Sequence, residues 1–238
     1  MRNVWVIAKR EFSAYFTSPI AYVAISVFLV VVGLKFFVID EFFEVGQASL
    51  RSLFELLPIF FLFYLPAISM RLVAEEKRAG TFELVMTLPI TDAQIVLGKY
   101  LGAVGFLVVT LVLTLVYPAL LAVLGNPDGG IIIGSYLGVF LLGASYLAIG
   151  IMTSAWTTNQ IVGYVLGAVL AALFYFQDRL VGLFWEGARR VMELSSMGAH
   201  YANFTKGVVD TRDLVFFLSV ISFSLLVATF SLTSRRWS

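Results

Sequence analysis

Apolar residues run along this chain in long, nearly unbroken stretches, without the strict alternation of a half-buried strand or the single stripe of a helix on a soluble core. Six stretches reach or approach the roughly 20 residues that a helix needs to cross about 30 Å of hydrocarbon. They are Ile20–Ile39, Leu53–Val73, Ile95–Leu124, Ile131–Met152, Ile161–Phe176 and Leu214–Leu232. The third is long and carries Pro118 near its end, where a tilt or kink is expected. The fifth is short, and its outer limit is open. Ahead of the first span, Val4, Ala8, Phe12, Tyr15 and Phe16 share one helical face, and Arg2, Lys9 and Ser13 turn away from it. That pattern predicts an amphipathic helix over 2–17 at the membrane interface, ended by Ser18-Pro19. It serves either as an anchor or as a surface that receives force from a cytoplasmic partner.

Composition strengthens the membrane reading. Hydrophobic residues make up 60% of the 238 positions and charged residues 13%, against about 45–50% and about 25% in ordinary soluble domains. The expected fold is therefore an all-α membrane protein of six transmembrane helices. The net charge of +1 offers no bulk field for nucleic acid. Basic residues flank the first and last spans, Arg2, Lys9 and Arg10 at one and Arg235 and Arg236 at the other. With both termini cytoplasmic, that side balances to +4 (9 bases − 5 acids) and the outer side to −3 (7 − 10). Both termini are read as cytoplasmic, and no cleaved signal peptide is expected.

Several chemistries find no support. The chain has no cysteine and one histidine, which cannot build the usual zinc set, so no metal site is expected. Ser145 on the fourth span resembles an intramembrane protease serine only superficially, because His200 falls in an outer loop. The span interiors are nearly free of acids and bases, and Lys35 and Glu55 lie near outer ends, so no ion relay is evident. No phosphate-binding GxxxxGK[ST] loop occurs, and ATP is not expected to bind this chain.

Two connections are too elaborate for simple loops. Arg71–Asp92, between spans two and three, opens with the charged run Glu75, Glu76, Lys77 and Arg78. Gly80 then stops one helix, Thr81 caps another bearing Phe82, Val85 and Met86, and Pro89 closes it before Thr91 or Asp92 starts the next. Gln177–Asp213, between spans five and six, mixes charges with Leu183, Phe184 and Trp185, a composition for short interfacial or re-entrant helices. Three glycine pairs four apart, Gly98/Gly102, Gly134/Gly138 and Gly163/Gly167, allow close approach between spans, within one subunit or across a dimer interface.

The run Glu-Glu-Lys-Arg-x-Gly-Thr-x-Glu-Leu at 75–84, followed by Thr87-Leu-Pro89, resembles the signature loop of ABC-2 type permeases. More narrowly, the chain is similar to the gliding-motility and copper-processing branch of that family. The C-terminal part agrees, with His200, Tyr201 and Phe204, then Gly207, Asp210, Arg212 and Asp213, and a terminal Arg235-Arg236-Trp237. The resemblance covers most of the chain and implies a single transmembrane domain over 1–238. It implies a coupling helix in the 71–92 loop, with Glu75, Glu76, Arg78, Gly80, Thr81 and Glu83 docking on a cytoplasmic ABC ATPase. It also implies two ATPase copies that use ATP and magnesium, a second permease copy or homologue, and a bacterial-type inner membrane. An accessory membrane subunit with an outer domain would meet the 177–213 segment. The function so implied is that of a non-enzymatic permease subunit, passing the energy of ATP hydrolysed elsewhere to export or to mechanical transmission. The alternative is a self-sufficient secondary carrier or channel.

Overall fold

The computed structural model describes residues 2–39, 50–81, 90–125, 127–180 and 194–235, and all regular structure among them is helical. Ten α-helices follow one another: α1 Arg2–Thr17, α2 Pro19–Leu34, α3 Arg51–Ser69, α4 Arg71–Arg78, α5 Asp92–Leu113, α6 Val116–Leu124, α7 Gly129–Trp156, α8 Gln160–Leu180, α9 Met197–Thr205 and α10 Thr211–Arg235. A π-helical turn, Lys35–Ile39, extends α2. Among the described residues, six helical stretches are long and apolar enough to cross a membrane: Pro19–Ile39, Arg51–Arg78, Asp92–Leu124, Gly129–Trp156, Gln160–Arg179 and Thr211–Ser234. The chain is an all-α, multi-pass membrane protein. The expected helix after Thr81, the stretch 181–193 of the outer segment, Arg236 and Trp237 lie outside the described residues.

Local chemistry sets the boundaries. Ser18 caps α2 by accepting from the Ile20 amide at 3.3 Å, and Pro19 sits at its first turn, where a missing N–H costs nothing. Thr91 and Gln94 close a capping box at the start of α5. Asp128 Oδ1 accepts from the Gly130 and Ile131 amides and opens α7. The third span breaks at Thr114–Leu115, where Pro118 leaves the Thr114 carbonyl without its helical donor. That carbonyl accepts instead from the Tyr117 amide at 3.0 Å and from the Tyr136 hydroxyl at 3.0 Å. The kink expected from Pro118 therefore falls one turn ahead of it.

The fifth span runs on past Phe176, because its polar end is occupied rather than solvated. Gln177 donates to the Ser195 hydroxyl at 2.7 Å, and Ser196 donates to Asp178 at 3.1 Å.

Helix α7 is the centre of the bundle, packed by α3, α5, α8, α9 and α10 and apolar all round, as a helix without a solvent face should be. Two of the glycine pairs lie against it. A Cβ on Gly138 would stand 2.5 Å from Phe204 Cβ, and one on Gly134 would stand 3.1 Å from the Phe204 carbonyl oxygen, so α9 rests directly on α7. Gly163 and Gly167 on α8 face Ser154 and Gly150 of α7, and Thr153 donates across that contact to the Gly163 carbonyl at 3.0 Å.

The remaining pair seats α1 on α5. Asn3 meets Gln94, Ile7 meets Gly98, Glu11 meets Gly102 and Tyr15 meets Phe106, each pair four residues on from the last in both helices. The two helices thus run parallel, side by side, over the first half of the third span. The face of α1 picked out by its periodicity is covered by α5, whereas Trp5 and Val6 stay exposed beside Arg2 and Lys9. All six of these glycines contact other elements of the same chain.

A Cβ on Gly102 would lie 2.7 Å from Glu11 Cβ and 3.0 Å from the Ala8 carbonyl oxygen. Gly102→Leu should therefore push α1 from its seat at a cost of about 1–3 kcal/mol. Thermal unfolding in detergent should fall by roughly 2–10 °C, whereas Gly129→Ala, which meets nothing within 4 Å, should leave it unchanged.

Candidate functional site

One end of the bundle joins several helices through charged and polar contacts between residues far apart in sequence. It holds the start of α5, all of α4, the outer face of α1, and the last turns of α7 and α10. The α5 and α10 ends meet where Thr233 donates to Asp92 Oδ2 at 3.0 Å. Asn3 donates to Gln94 at 3.4 Å close by.

Helix α4 continues the second span after an interruption at Met70. In an unbroken helix the Val73 and Ala74 amides would bond carbonyls four residues back. Both donate instead to Ser154 Oγ of α7, at 3.2 and 3.0 Å, and that hydroxyl gives its own proton to the Met70 carbonyl at 2.6 Å. One serine, some 80 positions away in sequence, satisfies the break from both sides. The Lys77 ammonium, near the tip of α4, donates to the Ala155 carbonyl at the end of α7.

Beneath α4 lies Lys99 of α5, 1% exposed. Its ammonium is 2.8 Å from Glu76 Oε1 of α4 and 3.2 Å from Glu11 Oε1 of α1. Arg10 closes the ring from the solvent side, 2.7 Å from Glu11 and 3.4 Å from Glu76. Two acids and two bases thus join three helices in a locally neutral group. A buried ammonium is tolerated only with such partners, and breaking one pair in a site like this costs about 3–5 kcal/mol. Burial works to raise the Glu11 carboxyl, but Lys99 and Arg10 outweigh it and hold the group below its ordinary value. The Glu76 Oε2 atom is buried with no hydrogen-bond partner among the described residues, so this carboxylate depends on its two cations. Tyr15 adds a further tie, donating to the Ile68 carbonyl at 3.3 Å beneath the Arg71 guanidinium, 4.9 Å from its ring centroid.

The loop residues singled out from the sequence divide into two groups. Glu75, Arg78, Gly80 and Thr81 are exposed on the free face and tip of α4. Gly80 has φ +70°, the left-handed conformation that ends a helix and that residues with a Cβ rarely adopt. Glu76 turns inward to Lys99, and Glu83 lies outside the described residues. The sequence reading missed Lys99 and Glu11 as site residues. A lysine and a glutamate 88 positions apart carry no local signal; the one available clue was a lysine four residues inside the apolar stretch Ile95–Leu124.

At the opposite end, His200 and Phe204 lie on α9, Gly207 turns the chain with φ +76°, and Asp210 accepts from the Arg212 amide at 2.9 Å ahead of α10. Arg212 is exposed. Ser145 gives its proton to the Leu141 carbonyl at 2.9 Å, within its own helix. No cluster of three or more His, Asp or Glu suited to a metal ion occurs among the described residues.

Residues 37–184 match the family model described as ABC-2 family transporter protein. No curated protein matches the chain.

Lys99→Met should leave two half-buried carboxylates with Arg10 alone and lower stability by about 3–5 kcal/mol; adding Glu11→Gln and Glu76→Gln should recover most of that loss in thermal unfolding. The lowered native value of Glu11 means that the unfolded chain binds more protons. Its contribution is present above about pH 4 and fades as pH falls through the native value. Unfolding followed between pH 7 and pH 3 should show that decline, and Glu11→Gln should flatten it.

Proposed function

From the chain's membership of the ABC-2 transporter family, to which it belongs on a match covering residues 37–184, we propose that it couples ATP hydrolysis by a separate cytoplasmic ATPase to export or to mechanical transmission across the membrane. As a membrane subunit of an ABC transporter it works with an ATPase and a second permease. We assign two ATPase copies and a second copy of this chain or a homologue, in a bacterial-type inner membrane with both chain ends cytoplasmic. The narrower likeness to the gliding-motility and copper-processing branch supports an accessory subunit with an outer domain, docked on the 177–213 segment. ATP and magnesium belong to the ATPase.

The observation that carries this reading is the two-sided character of α4. Its tip and outer face present Glu75, Arg78, Gly80 and Thr81 to solvent, a set of charges suited to charge-assisted contacts across an interface. Its inner face is fixed by Glu76 to Lys99, by two amides to Ser154, and by Lys77 to Ala155. A push on the tip therefore moves α1, α5 and α7 with it, since pulling α4 away would break the 2.8 Å Glu76–Lys99 contact and leave the buried ammonium with Glu11 alone. Glu83, in the helix expected after Thr81, extends the docking surface. A self-sufficient carrier or channel would have no use for an exposed charged tip backed by a desolvated ion network.

The location is tested by a photo-reactive amino acid placed at Arg78, with Ser219, on an exposed face of α10, as the control position. Irradiation of native membranes should yield an adduct between the Arg78 variant and a P-loop ATPase, at least tenfold above the Ser219 control. Equal adducts at the two positions, or adducts with lipid alone, would remove the assignment.

A further inference from the structure

The chain's only histidine, His200, lies on α9 at the end of the bundle away from Lys99. Both of its ring nitrogens face acceptors. Nδ1 is 2.6 Å from Asp213 Oδ1, and Nε2 is 3.0 Å from the Leu194 carbonyl oxygen. The other Asp213 oxygen accepts from Asn203 Nδ2 at 3.0 Å, and the imidazole stacks on Phe216 with centroids 4.0 Å apart. The pair is sheltered, with side-chain exposures of 14% for His200 and 3% for Asp213.

A carbonyl oxygen can only accept, and a neutral imidazole has one N–H. A neutral His200 beside an ionised Asp213 can satisfy one of the two contacts, and the other sets lone pair against lone pair. Both contacts close only when the pair holds one more proton. That proton makes an imidazolium beside a carboxylate, or an imidazole beside a carboxylic acid sharing the Nδ1···Oδ1 line; in a coupled pair the count belongs to the two groups together.

We propose that His200 and Asp213 form a proton-operated latch on the outer segment. With the extra proton bound, the latch ties Leu194, the helix α9 and the start of α10 together. On its loss, the remaining N–H stays with the Asp213 carboxylate, the stronger acceptor. The Leu194 carbonyl is released.

The surroundings are compatible with such a latch. An open groove lined by Leu194, His200, Thr211, Arg212, Val215 and Phe216 brings water to the imidazole. Arg212 is the cation of that groove and is exposed, so solvent screens its opposition to the added charge. Asp210 is bound to the Arg212 amide and the Thr211 hydroxyl, and Asp178 of α8 is bound to Ser196. Lys206 at the end of α9 is exposed. Helix α7 presents Gly134 and Gly138 to α9, with Asp128 at its N-cap. Asp213 is thus the carboxylate in contact with the ring. The latch rests on this geometry alone and stands whether or not an ATPase is the partner.

Amide hydrogen–deuterium exchange of the full chain in lipid nanodiscs, corrected for intrinsic exchange, tests the latch between pH 5.5 and pH 9.0. The peptide spanning 194–200 should exchange at least tenfold faster at pH 9.0, with α7 peptides unchanged. His200→Gln and Asp213→Asn should each abolish that contrast, at whichever level of protection they retain. A wild-type peptide with equal protection at both pH values would overturn the proposal. So would the same tenfold contrast surviving in His200→Gln.

Discussion

The structure turns on a single ammonium group. Lys99 sits seven residues inside the third span with 1% of its side chain exposed, where an unpaired charge would cost several kcal/mol. It must be met by carboxylates, and no acid within its own helix lies against it. Glu11 comes from α1 and Glu76 from α4. That demand fixes the register of α1 on α5, which the small faces of Gly98 and Gly102 then allow at close range. It also fixes the direction in which α4 leaves the second span, since only one face of that short helix carries Glu76. Arg10 returns the group to neutrality from the wet side.

A second device works with the first. The interruption at Met70 strands backbone groups, and Ser154 of α7 takes them up. The two devices differ in kind. The ion cluster is strong, charge-assisted and tied to two neighbouring helices, whereas the serine contact pins the break to the central helix. Together they give α4 a fixed inner face and a free outer tip, an arrangement suited to receiving a load and passing it to the bundle. Helix α7 then runs the full depth of the molecule, from Ser154 at this end to Gly134 beneath α9 at the other. The charged end and the outer segment thus share one packed element.

The spans were legible in the sequence because so long an apolar run is stable in few settings besides a bilayer. Ser18-Pro19, Thr91 and Gly80 were legible for a different reason: each boundary rests on chemistry within a few residues of itself. What was not legible depends on distant partners. Lys99 read as one more base on the cytoplasmic side, and Glu76 was grouped with Glu75 because adjacent acids in a charged run look alike. Their faces on α4 differ by about 100°, and the nearby lysine decides which turns inward. The partners of the glycine pairs were hidden likewise, since spacing shows that something approaches closely but not what. The break of the third span falls at Thr114 rather than Pro118 because proline acts on the carbonyl four residues back, and the Tyr136 hydroxyl that joins the Tyr117 amide on that carbonyl was not visible in the sequence.

The central claim is that the free tip of α4 carries a cytoplasmic ATPase. Its most direct measurement is the composition of what stays with the tagged chain after gentle detergent extraction from native membranes, read by quantitative mass spectrometry. The account predicts a P-loop ATPase retained at one copy per permease, together with a second permease chain. Recovery of the chain alone under several extraction conditions, intact through residues 71–92, would contradict it.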